Sequence, residues 1–143
     1  MVKNFFIQGC ISADFISKEI EKHHTKKNIG AHSIFLGQVR EDIIDTKQVK
    51  AIEYSAYESM AFEKMHMIRE SLFGKYELSC MHIYHSLGLV NAGEISLFVF
   101  VSSKHRHNAI DACEEAVELF KSELPVWGKE IFHDNSSNWK VNH

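Results

Sequence analysis

Residues 95–130 read ISLFVFVSSKHRHNAIDACEEAVELFKSELPVWGKE. The first seven, Ile95 to Val101, are an almost unbroken apolar run, which predicts a strand buried on both faces and central to its sheet. From Ser103 the period changes. Ala109, Cys113, Ala116, Val117, Phe120 and Leu124 fall at helical spacing and predict a helix reaching about Leu124, stopped by Pro125, the single proline of the chain. That helix starts with Lys104, His105, Arg106 and His107. Cations there oppose the helix dipole, which favours negative charge at an N-terminus, so this end loses stability unless an anion visits it.

Outward from this strand and helix, residues 4–9 (NFFIQG) read as a short strand. Ser12 caps a helix with Phe15, Ile16 and Ile20 on one face. Residues 31–39 (AHSIFLGQV) are a second strand. EDIIDTKQ reads as a polar loop, and residues 49–57 (VKAIEYSAY) alternate as a third strand. Ala61, Met65, Ile68 and Leu72 predict a helix from Glu58 that ends at Gly74. Residues 78–88 form a fourth strand and Gly88 to Gly93 a turn. From Ile131 the tail reads as polar apart from Trp139. The order βα-ββα-ββα, with hairpin-like pairs, predicts a mixed, largely antiparallel α+β domain spanning residues 1–143.

Composition narrows the function. The 143 residues suit one domain with a substantial core. The net charge of −3 offers no general attraction for nucleic acid or membrane, so anion binding has to be local. Cys10, Cys80 and Cys113 are widely spaced and contain no C-x-x-C, which fits a reducing cytoplasm. No apolar run approaches the roughly 18 residues of a membrane span. Ten histidines raise the question of a metal, but no two stand at i, i+4. His82 and His85 are placed on opposite strand faces and His105 and His107 well apart around a helix, so they read as surface or hydrogen-bonded histidines and no metal site is expected. A nucleophile elbow and a Walker-type phosphate loop are both absent.

The remaining chemistry is cationic. Arg40 follows a strand end at Gly37. His105 and Arg106 sit in the first turn of a helix, whose free N–H groups suit a phosphate. Lys121 lies at the margin of the buried face, either as a partly desolvated amine usable in catalysis or as a snorkelling lysine favourable to the dipole. Arg106 and Lys121 are about 22 Å apart along one helix. Either they serve different functions, or two copies of the chain meet and each pocket takes Lys121 from one and His105 and Arg106 from the other.

Several motifs then fall in order: G-Q-V-R at 37–40, E-Y-S-A-Y at 53–57, H-S-L-G at 85–88, G-E at 93–94, H-R at 105–106, and K-x-x-x-P-x-W-x-K-E at 121–130. Together they resemble the large, catalytic subunit of molybdopterin synthase. The resemblance implies a hammerhead-type α+β fold that forms a homodimer within a heterotetramer. Its partner is a small ubiquitin-like sulfur carrier whose C-terminal Gly-Gly ends in a thiocarboxylate. Two sulfurs pass successively from that tail to cyclic pyranopterin monophosphate (precursor Z), giving molybdopterin for molybdenum cofactor biosynthesis, with no further cofactor.

By position, the resemblance implies substrate contacts at Gln38, Val39 and Arg40, and phosphate contacts at His105 and Arg106. It implies catalysis by Lys121 and Lys129, and further substrate-binding residues at Gly128 and Glu130. Two positions depart from the family. Ser86 stands where an arginine often follows the histidine. Gly128 stands where a second catalytic lysine usually follows the tryptophan. Lys129 swinging in, another cation such as Lys140, or loss of full activity with carrier binding retained would each account for that glycine.

Overall fold

A computed structural model describes residues 4–140. The apolar run becomes β6 (Ile95–Ser103), buried along nearly its whole length. It lies between β2 (Ala31–Gln38) and β5 (Cys80–Asn91), antiparallel to both. β5 continues through Gly88, at φ 84°, to pair antiparallel with β4 (Lys47–Ala56). The sheet then runs on through β7 (Val126–Phe132) to β8 (Ser137–Trp139). β1 (Phe6–Gln8) pairs parallel with β5, and β3 (Ile43–Ile44) pairs with β4. Among the described residues the result is an eight-stranded, largely antiparallel sheet with three helices, the mixed α+β arrangement expected.

Alternation along β6 sorts the core. Leu97, Val99 and Val101 pack under α2 (Glu58–Lys75) and α3 (Arg106–Glu123), against Ala61, Met65, Ile68, Leu72 and the α3 stripe. Phe98 and Phe100 face the other way, under α1 (Ala13–Lys22) with Phe15, Ile16 and Ile20. Each fully buried phenylalanine contributes about 1.5–3 kcal/mol. Ser12 caps α1 by accepting the Phe15 N–H at 3.1 Å. Val39, Val49, Ile52, Val90 and Phe132 form a smaller core under the β4–β7 half of the sheet.

Five boundaries differ from the sequence reading. The polar loop is a hairpin, in which β3 and β4 are joined by Asp45 and Thr46, both at positive φ (50° and 69°). α2 runs past Gly74 to Lys75. Gly88 lies within β5, so the turn begins only after Asn91. The tail joins the sheet as β7 and β8, with Phe132 buried. α3 starts at Arg106, because Ser102 and Ser103 are held in β6 and fully buried, with Ser103 Oγ donating to the Glu77 carbonyl at 2.8 Å.

Spacing compares neighbours along the chain, whereas the fold gathers distant ones. His23, Cys80 and His82 present ligand atoms within 4.8 Å of one another.

Candidate functional site

The end of β2, the middle of β4 to β7 and the last turn of α3 converge on an open pocket of about 130 Å³. His85 and Tyr54 supply polar groups on its wall. The His85 Nδ1–H donates to the Ser86 carbonyl at 2.7 Å, which leaves Nε2 as the lone-pair nitrogen. Its ring stacks on Phe120 (centroids 5.2 Å, planes 13° apart) and meets the Tyr54 ring edge-on at 4.7 Å. Burial pushes the imidazole down to about 4, and the nearby Lys121 charge adds to this, so His85 is neutral at pH 7. Burial holds the Tyr54 phenol above its usual range, and its oxygen is 3.2 Å from Ser96 Oγ.

Two amines reach this pocket. Lys121 comes from the last turn of α3, and Lys140 follows β8, its backbone N–H donating to the Gly128 carbonyl at 2.8 Å. Although much of the Lys121 side chain is exposed, its amine lies below the ordinary lysine range. Desolvation is the main cause and repulsion from Lys140 comes next; Glu118 opposes them, and Arg40 adds a still smaller downward push. Among the described residues, no aspartate or glutamate lines the pocket. Among the described residues, the ion pairs involve Lys18, Lys22, Arg40, Lys47, His66 and Lys75, and neither pocket lysine is in one. Two cations outside any ion pair of the described residues, beside a neutral imidazole and a protonated phenol, form a receptor for an anion.

The residues singled out by sequence separate into groups. Gln38, Lys121 and Gly128 line the pocket. Arg40 stands outside the lining, 3.3 Å from Asp42 but close enough to influence Lys121. Val39 does not present a side chain to a ligand, because it is 2% exposed in the smaller core. Its N–H donates to the Glu94 carbonyl and its own carbonyl accepts from Gly93. Glu130 is buried beneath the site, near enough to Tyr54 to raise its phenol.

His105 and Arg106 are exposed at the far end of α3 and do not line this pocket. Lys129 is outside it too. Strand alternation turns Lys129 to the opposite face of β7 from Gly128, where its amine sits 5.3 Å over the Trp139 ring. A Cβ at Gly128 would lie 2.9 Å from Ile52 Cγ2 and 3.3 Å from Tyr54 Cε1. Ser86 is fully buried in β5 with an unpartnered hydroxyl, so the place where the family often has an arginine is a core position here.

Sequence reasoning missed the roles of His85 and Tyr54 as pocket walls, although the H-S-L-G and E-Y-S-A-Y motifs contained both. Lys140 was named, beside Lys129, as a cation that could cover for Gly128, and the pocket brings it beside Lys121.

Comparison with known proteins places this geometry. The family model described as MoaE protein matches residues 10–123, ending before β7. The molybdopterin synthase catalytic subunit of Drosophila melanogaster is 40% identical over 115 residues, covering 79% of this chain and 31% of that protein. The chain thus spans about a third of that relative's length. The Aedes aegypti molybdopterin synthase catalytic subunit 1 is 38% identical over 127 residues, covering 87% of this chain and 81% of that one. Among solved structures, molybdopterin synthase from Staphylococcus aureus superposes with a TM-score of 0.84 at 29% identity, covering 99% of this chain and 100% of that one. A complex of subunits 1 and 2 of molybdopterin-converting factor from Helicobacter pylori gives 0.81 at 25% identity, over 96% and 90% of the two chains.

Proposed function

This chain belongs to the MoaE protein family, and on that premise we propose that it is the catalytic subunit of a molybdopterin synthase. Residues 1–143 would act as one domain of that kind. The substrate is precursor Z, and the sulfur comes from the C-terminal thiocarboxylate of a small ubiquitin-like carrier. The observation that supports this most strongly is the pocket lined by Lys121 and Lys140 with no aspartate or glutamate among its described residues. It suits a thiocarboxylate tail, which carries one negative charge and little bulk after two glycines.

In this reading the two amines hold the thiocarboxylate and stabilise the negative charge that develops as sulfur is transferred. Both are preorganised, Lys121 by the packing of α3 and Lys140 by the bond between its backbone and Gly128. The neutral His85 and the Tyr54 phenol add polar contacts without adding negative charge. His105 and Arg106 hold the pterin phosphate from a second copy of the chain, which explains their place at the other end of α3. The assembly is then a homodimer of this chain carrying two carriers. Lys140 supplies the charge that Gly128 lacks, and full turnover follows rather than carrier docking alone.

Mixing the protein with thiocarboxylated carrier and precursor Z, and reading molybdopterin as its fluorescent oxidation product, tests the assignment. Product should form, and Lys121→Ala should lower the rate about 10²–10³-fold. Tight carrier binding with no product from the unaltered chain would contradict it.

A further inference from the structure

The pocket opens on the α3 side of the sheet, and a second polar cluster lies on the α1 side. His23 follows the last turn of α1, while Cys80 and His82 are alternate residues of β5 that share one face. We propose that His23, Cys80 and His82 bind a zinc-class divalent metal ion, tying the C-terminal end of α1 to the sheet. Two imidazole nitrogens at ~2.0–2.1 Å from one tetrahedral zinc stand about 3.3 Å apart. His23 Nε2 and His82 Nε2 are 3.2 Å apart.

The orientation of His23 is already that of a metal ligand. Its Nδ1–H donates to the Glu19 carbonyl at 2.7 Å, which directs a bare Nε2 toward His82. Two imidazoles and one thiolate are a donor set for zinc, with the fourth position left to water. His23 and Cys80 are buried and His82 is half-buried, among Phe100 and Tyr84.

The charged groups around the cluster fit a site with a route in from solvent. The Lys26 ammonium donates to Cys80 Sγ at 2.8 Å. Its side chain is exposed and free to swing away as a metal displaces it. Glu19 lies beneath, accepting from the Tyr84 hydroxyl at 3.2 Å and from Lys22 at 3.4 Å. Arg69 bonds the Met81 carbonyl nearby, so the Glu19 carboxylate and the Cys80 sulfur face two lysines and an arginine.

The test uses the full chain, free of affinity tag and dialysed against chelator, titrated with cobalt(II) and then zinc(II). One equivalent of cobalt should give thiolate-to-metal absorption and tetrahedral visible bands, which zinc abolishes. Zinc at ~100-fold above its dissociation constant should raise the melting temperature by about 5–10 °C. Cys80→Ser should remove the thiolate band, and His82→Gln should weaken zinc binding by at least ~10-fold, with circular dichroism unchanged. Cys10→Ser should keep both responses. The absence of saturable binding at micromolar metal, or binding that survives both Cys80→Ser and His82→Gln, would overturn the proposal and leave the 3.2 Å contact as an N–H···N hydrogen bond.

Discussion

Replacing Gly128 by alanine puts a methyl group 2.9 Å from Ile52 Cγ2 and 3.3 Å from Tyr54 Cε1, where carbon atoms prefer ~3.5–4.0 Å. Gly128 is not at positive φ, so no backbone penalty enters and space alone sets the sign. Relieving the crowding costs about 1–3 kcal/mol, against a gain of roughly 0.4–1 kcal/mol from stiffening the unfolded chain. The net loss is about 1–2 kcal/mol, or a melting temperature lower by roughly 2–8 °C for a chain of this size. A double-mutant cycle sharpens the test. Ile52→Ala removes the clashing methyl, and in that background Gly128→Ala should become neutral or stabilising. Urea melts of the four proteins give the coupling. A Gly128→Ala protein as stable as its parent, or the same cost in both backgrounds, would refute the steric reasoning. A lysine at 128 would meet the same crowding from Ile52 and Tyr54 through its own Cβ.

Other consequences follow from the charged and buried groups. With Lys121 acting as a cation, activity should fall as pH rises through its lowered pKa, below the ordinary lysine range. Lys140→Gln removes a neighbouring positive charge and should move that limb of the pH–rate profile upward. A limb that stays put or moves down would contradict the coupling. His85 is held neutral, at about 4, while its unfolded form titrates near the usual ~6.5. The unfolded state therefore binds more protons between those values, and stability contributed by His85 is lost as pH falls from about 6.5 toward 4, roughly 3 kcal/mol in all. Denaturant melts across that range should show the slope, and His85→Phe should reduce it without abolishing it, because burial also pushes the His82 imidazole down to about 4.

The legible parts of the fold were those with a period. Phe98 and Phe100 alternate with Leu97, Val99 and Val101, and the α3 stripe repeats at helical spacing, so β6 and its helix could be placed from residues alone. The β3–β4 hairpin was hidden because Asp45 and Thr46 adopt positive φ without the glycine that usually marks such a turn. β7 was hidden because Gly128, Lys129 and Glu130 interrupt its apolar character, and its burial depends on β4 lying alongside. Lys121 could be suspected from its place at the edge of the stripe. The neutral His85 could not, since its desolvation comes from Phe120 and Tyr54, which are remote in sequence. Choosing between Lys129 and Lys140 required knowing that β7 is a strand, because alternation then sends Lys129 toward Trp139 and away from the pocket.

The rate of molybdopterin formation by Lys140→Ala, set beside that of Lys129→Ala, tests the central claim most directly. With thiocarboxylated carrier and precursor Z at saturation, Lys140→Ala should slow sulfur transfer by about 10²-fold or more, while Lys129→Ala stays within a few-fold of the parent. A silent Lys140→Ala together with a crippling Lys129→Ala would contradict the two-amine pocket described for this chain.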